Sequence, residues 1–177
     1  MNDNTNGVLL RETYLIDSDT AGIQLQLLRR RRRDIGRPSS GTTLMLIHGA
    51  TFPSESLFDV PVDDISFMDA LATAGFDVWA VDARGYGGST RPSDMAAPPD
   101  TAAPLTPARV AARDLASAVE YVLAENGIDR LSIVAMSWGG SVAGIYAERH
   151  SKYIEKLCWW HRYGYRIAPC ASMPDSR

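Results

Sequence analysis

The stretch LSIVAMSWGGSVAGIYAERH, residues 131–150, decides the fold. Leu131 to Ala135 is a short continuous apolar run, the pattern of a strand buried on both faces of a parallel sheet. Gly140 to His150 reads as a helix. Between them, Ala135-Met136-Ser137-Trp138-Gly139-Gly140 must turn the chain sharply from strand to helix. Such a turn lifts a serine hydroxyl clear of the backbone and tolerates only small neighbours. The usual pattern is G-x-S-x-G, and here Ala135 takes the place of the first glycine. A serine displayed in this way points to nucleophilic acyl transfer. The alternative, a plain helix-capping serine, fits the flanking glycines and the buried strand less well.

Working outward, the chain alternates strands and helices. Val8 to Ile16 and Ile23 to Leu28 read as two strands, with the turn-rich Asp17 to Gly22 between them, and so as a hairpin. Arg29 to Arg33 is a run of five arginines. A patch for nucleic acid or an acidic membrane is one reading of it. A solvated strand end and loop is the other, and the turn residues from Asp34 to Gly41 favour it. Thr42 to Ile47 is a buried strand. Ile65 to Ala74 reads as a helix with Ile65, Met68, Leu71 and Ala72 on its apolar face, stopped by Gly75. Phe76 to Val81 is the next strand, and strand, helix, strand implies a right-handed crossover. Arg91 to Pro107 holds five prolines without periodicity and reads as a loop. Thr106 can cap, and Pro107 open, a helix that ends at Asn126-Gly127. Ile154 to Leu157 looks like the start of another strand. The expected class is α/β.

Three segments then fall at the C-terminal ends of buried strands, where ligands bind in open α/β sheets. They are His48-Gly49-Ala50, Asp82-Ala83-Arg84-Gly85-Tyr86-Gly87-Gly88-Ser89 and Ser137-Trp138-Gly139-Gly140. In order and spacing, across residues 8 to 157, they resemble the α/β-hydrolase family in its serine-nucleophile branch. The resemblance implies a mostly parallel sheet with an N-terminal antiparallel hairpin and flanking helices. It makes Ser137 the nucleophile of ester, or less readily amide, hydrolysis through an acyl-serine. It gives the oxyanion hole to the backbone N–H of Trp138 and to the loop after His48-Gly49, at Ala50 or else Thr51. His48, Gly49, Asp82, Arg84, Gly85, Gly87, Gly139 and Gly140 become structural members of the motifs. Ser137 argues against the dehalogenase and epoxide hydrolase branches, which place an aspartate there. Ser-Trp-Gly-Gly is also similar to proline iminopeptidases, and C–C bond hydrolases stay open.

The family order is serine, acid, histidine, so Asp82 precedes the place of the acid. His150 is expected on the surface at the end of a helix, and His161 comes too early to be the base. Residues 158–177 read CWWHRYGYRIAPCASMPDSR, without valine, leucine or glutamate. The shift divides the chain at Leu157 into an N-terminal part of a hydrolase domain, residues 8–157, and an atypical tail, residues 158–177. A change of reading frame, or a substitute edge strand with alternating Trp159, His161, Tyr163 and Tyr165, would each explain it. The expectation is a truncated chain that lacks the triad acid and base and is inactive alone. The competing readings are a non-catalytic ligand-binding or interaction module on the same fold, and a gene product without function.

Composition narrows partners. Of 177 residues, 45% are apolar and 22% charged, with a net charge of −3, which is ordinary for a globular domain and gives no reason to expect nucleic acid. No basic leader followed by an apolar run opens the chain, and no run approaches membrane-spanning length. Cys158 and Cys170 do not suggest a disulfide framework. No phosphate loop, complete dinucleotide fingerprint or metal-ligand spacing occurs, so no cofactor or metal is expected. The expected partner is a small ester or amide, with no nucleic acid, no membrane, self-association through an exposed sheet edge, and a cytoplasmic location.

Overall fold

The computed structural model describes residues 8–98, 104–160 and 171–172. Its strands are β1 (Leu9–Asp17), β2 (Gln24–Arg32), β3 (Thr43–Ile47), β4 (Asp77–Val81), β5 (Leu131–Met136), β6 (Ile154–Trp160) and β7 (Ala171–Ser172). Its helices are α1 (Ser54–Phe58), α2 (Phe67–Thr73), α3 (Ala108–Asn126) and α4 (Trp138–His150). The sheet runs in the order β1-β2-β4-β3-β5-β6-β7. β1 pairs antiparallel with β2, and β2 with β4. The strands β4, β3, β5 and β6 are mutually parallel, and β7 returns antiparallel to β6. This is a partial α/β-hydrolase arrangement with the expected N-terminal hairpin.

Apolar runs made the centre of the sheet. Every residue of β3 and β4 is buried, because helices cover both faces. On one face Ala111, Leu115, Ala118, Val122, Val142 and Tyr146 from α3 and α4 pack on Met45, Trp79 and Ile133. On the other, Phe58, Met68 and Ala72 from α1 and α2 pack on Leu44, Leu46 and Val78. α3 ends as expected, with Gly127 left-handed at φ 62°. Among the described residues no helix is long and apolar enough to cross a membrane.

Four local expectations are corrected. The arginine run is a solvated strand end and turn only from Arg31 to Arg33, and its first two members are buried. β2 extends through Arg32, and Arg29 and Arg30 are only 4% and 7% exposed. Their charges are neutralised by carboxylates far away in sequence. Arg29 forks onto Asp77 with Nε at 2.7 Å and stacks 4.4 Å from the Trp79 ring centroid, and Arg30 reaches Asp59. Second, α2 starts at Phe67. Ser66 caps it through the Asp69 N–H in a reciprocal capping box, which leaves Ile65 outside the helix and 55% exposed. Third, Thr106 does not cap α3, because its hydroxyl donates to the Arg84 carbonyl instead. Fourth, His150 is half-buried, stacked 4.8 Å from the Tyr146 ring.

β6 crosses Leu157 without interruption, and Cys158, Trp159 and Trp160 pair with Val134, Ala135 and Met136. Cys158 is disulfide-bonded. The remaining alternation, His161 to Tyr165, lies outside the described residues.

Asp77 also accepts from Trp79 Nε1 at 2.8 Å and Asn126 Nδ2 at 2.7 Å, so one carboxylate ties β2, β4 and α3 together. Removing one partner of a buried pair strands the other charge, at about 3–5 kcal/mol. Asp77→Ala is expected to lower the unfolding free energy in urea by that amount. A loss below about 1 kcal/mol, the range of exposed pairs, would show that Arg29 is solvated.

Candidate active site

The turn after β5 has the geometry that the sequence implies. Ser137 adopts φ 52° and ψ −118°, a backbone region that residues with a Cβ rarely occupy. It stands at the cap position of α4, yet its side chain makes no capping hydrogen bond and it is exposed. Its N–H is engaged instead with the Trp160 carbonyl at 2.8 Å, which fastens the turn to the end of β6.

Close packing holds the turn from below. A Cβ on Gly139 would stand 2.7 Å from the carbonyl oxygens of both Ile47 and His48. No neighbour can yield there, since both are main chain of β3 and its following residue. Gly140 is different, because a Cβ there would make an ordinary 3.6 Å contact with Trp159. On the facing loop, Gly49 stands close enough that an added Cβ would lie 3.3 Å from the Ser137 Cβ.

His48 is fully buried beneath this loop. Nδ1 lies 2.6 Å from the Gly49 carbonyl oxygen, which can only accept, so Nδ1 carries the proton. Nε2 then accepts the Ala83 N–H at 3.2 Å. Burial lowers the pKa of the imidazole below its usual 6.5, against the opposing pull of the Gly49 carbonyl and the Asp82 charge. Both nitrogens are occupied, and neither faces Ser137 as a free base.

The loop after β4 packs against the same residues. Asp82 is buried and accepts the Ser54 N–H at 2.7 Å through Oδ1. Gly87, at φ 48°, lies over it so closely that a Cβ would fall 1.8 Å from Oδ2. Gly85, at φ 87°, makes the preceding turn. Arg84 forks onto Asp114 with Nη2–Oδ1 at 2.6 Å and donates its own N–H to the same carboxylate at 3.0 Å. Asp114 is completely buried on α3 and was missed in the sequence. Its signal was present, since it shares a helical face with Ala111, Leu115 and Ala118.

The loop after β3 and the turn after β5 line a cavity of about 320 Å³. Gly49, Ala50, Thr51 and Ser137 form its polar side, and Phe52, Leu57, Met136 and Trp160 its apolar walls. Among the described residues that line it, none is an aspartate, a glutamate or a histidine. His161 lies outside the described residues, and no group of three potential metal ligands occurs among them.

Residues 42–158 match the family model described as alpha/beta hydrolase fold. No curated protein sequence matches the chain. Among solved structures it is similar to an epoxide hydrolase from Vigna radiata, with 17% identity and a TM-score of 0.61 over 84% of this chain and 38% of that one. A predicted CIB-like hydrolase from Thermoplasma acidophilum gives 17% and 0.59 over 86% and 63%. A membrane phospholipase A, a bacterial virulence factor, gives 22% and 0.56 over 84% and 39%. At these identities the likeness is one of fold. The chain spans between 38% and 63% of the length of these structures.

Two expected outcomes test the site's construction. Gly139→Ala should cost about 1–3 kcal/mol of stability through overpacking. Gly140→Ala should cost nothing, since alanine is the better helix former. Equal effects in urea unfolding would mean that α4 does not approach β3 so closely. The second outcome concerns His48. The unfolded chain takes up a proton near pH 6.5, while the folded chain holds the imidazole neutral below that value. The unfolded state therefore binds more protons there, and stability falls as pH drops through 6.5, levelling off below the folded pKa. The stability difference between the protein and its His48→Asn variant should shrink as pH falls. A difference that does not vary with pH would show that His48 is not held neutral.

Proposed function

The chain belongs to the α/β-hydrolase fold family, and on that basis we propose that it carries the nucleophile and oxyanion hole of a serine esterase. Ser137 Oγ attacks the ester carbonyl carbon and the alcohol departs. Water then cleaves the acyl-serine. The negative charge on the tetrahedral intermediate is met by the Trp138 N–H, at the positive end of α4 where the first amides have no partner within the helix. Ala50 or Thr51 supplies the second donor across the cavity. One such donor is worth about 2.7–4 kcal/mol.

The observation that carries this reading is the exposed Ser137 at φ 52°, opening onto a cavity of about 320 Å³. Its carbon walls favour an uncharged ester over a peptide. Several of the similar solved structures are epoxide hydrolases, but that branch of the resembling family carries an aspartate where this chain has Ser137. An exposed serine needs a base to become nucleophilic, and no described residue lining the cavity provides one. Acid and base on this reading come from outside the described residues, so the described residues by themselves do not turn over an ester; we place the chain in the cytoplasm. A non-catalytic binding module is the second reading, favoured by the same lining.

The test supplies the base from solution. With p-nitrophenyl butyrate alone, turnover should equal that of a Ser137→Ala variant. With imidazole added, a butyryl group should appear on Ser137 by mass spectrometry and be absent from the variant. Acylation elsewhere, or none under imidazole while the ester binds saturably, would replace the esterase with the binding module.

A further inference from the structure

The loop facing Ser137 has two consecutive carbonyls that each accept a hydrogen bond from a side chain, the first buried and the second exposed. His48 Nδ1–H donates to the Gly49 carbonyl at 2.6 Å, and the Tyr86 hydroxyl donates to the Ala50 carbonyl at 2.8 Å. The two donors stand together, with ring centroids 4.5 Å apart. Tyr86 is itself fixed, because its N–H bonds the Ala83 carbonyl and its own carbonyl accepts from Ser89 N–H, each at 3.0 Å.

In a trans peptide the carbonyl and the N–H of the next residue share a plane and point in opposite directions. No peptide among the described residues is cis. The Gly49 carbonyl therefore sets the direction of the Ala50 N–H, and the Ala50 carbonyl sets that of the Thr51 N–H. With both carbonyls drawn toward His48 and Tyr86, both N–H groups face the other way. Ala50 and Thr51 are exposed and both line the cavity. Successive amides turned to one side form an anion-binding nest.

We infer that Tyr86 is a positioning residue of the oxyanion hole: its hydroxyl turns the Ala50–Thr51 peptide so that Thr51 joins Ala50 and Trp138 as a donor. The choice between Ala50 and Thr51 then disappears, since one loop presents both. The inference rests on the esterase reading for the nature of its ligand, an oxyanion, and not for its geometry.

The experiment is an amide-resolved NMR titration of the intact chain with butylphosphonate, a tetrahedral anion that binds without reacting. The Ala50, Thr51 and Trp138 resonances should all move. Tyr86→Phe removes only the hydroxyl. It should weaken binding about three- to tenfold, the worth of one hydrogen bond, and abolish the Thr51 movement while leaving that of Trp138. A loss of stability alone would not single out Thr51. Unchanged affinity with an unchanged Thr51 shift overturns the inference, as does movement of Trp138 alone or of no amide in the unsubstituted protein. Should Tyr86→Phe fail to fold, 3-fluorotyrosine at position 86 keeps the shape with a stronger donor. It should displace the Thr51 resonance of the free protein, and no displacement overturns the inference. The esterase reading fails separately, by the absence of acyl-Ser137. A chain that never acylates but moves Thr51 keeps this inference and loses that one.

Discussion

The approach of α4 to the end of β3 is the constraint on which the site depends. Gly139 rests on the carbonyls of Ile47 and His48, with no space for a Cβ. That contact forces Ser137 to complete the turn in one residue, at φ 52°. A residue with a Cβ in such a region costs of order 1–3 kcal/mol and persists only where its surroundings over-determine it. Here they do. The Ser137 N–H is held by the end of β6, α4 follows at once, and Ala135 below is fully buried. Strain in the backbone keeps the hydroxyl exposed, and the loop after β3 cannot move without disturbing the same contact.

From that contact the three sequence motifs become one physical unit. His48 supports the loop above it through Nδ1 and binds the loop after β4 through Nε2. Tyr86, from the latter loop, packs on His48 and stands 6.2 Å from the Trp138 ring at the start of α4. Asp82 receives the N–H at the start of α1 and lies directly under Gly87. Each loop is braced by a side chain of another, so their small residues are a packing requirement shared among loops. Arg84 extends the brace to α3 through Asp114, a buried pair whose value lies in holding an orientation more than in net stability.

What could be read from the sequence was whatever had a local pattern. The buried runs of β3, β4 and β5, the glycine at the end of α3 and the serine turn each appear within a few residues. What could not be read depended on partners distant in the chain. Arg29 and Arg30 look like a solvated run because nothing nearby announces Asp77, which reaches Arg29 only once β4 lies beside β2, or Asp59, which reaches Arg30 from the end of α1. Thr106 has the composition of a cap, but a carbonyl from another loop outcompetes the helix for its hydroxyl. The Tyr86 hydroxyl bond spans 36 residues and has no counterpart in any local pattern. The candidate nucleophile was legible, whereas the carbonyl anchoring that gives its surroundings their polarity was not.

On the esterase reading, the described residues around the cavity stabilise charge and supply no proton acceptor. The cavity offers amides and a hydroxyl, and the imidazole beneath it has both nitrogens committed. These are separable contributions to acyl transfer. In a serine protease where both were measured, losing the proton-transfer residues costs about 10⁶-fold in kcat, and a residue of roughly 10³–10⁴ over water survives from binding and the oxyanion hole. The division follows from chemistry. Fixed amides stabilise the tetrahedral oxyanion whatever removed the hydroxyl proton, whereas a base must lie within hydrogen-bond reach of Ser137 Oγ. On the esterase reading the first function therefore rests on these loops, and the second on residues outside those described. Making His48 that base would require breaking its bonds to Gly49 and Ala83, and with them the carbonyl anchoring of the loop. The same imidazole cannot keep those bonds and also deprotonate Ser137, so on the esterase reading the proton acceptor is a residue other than His48.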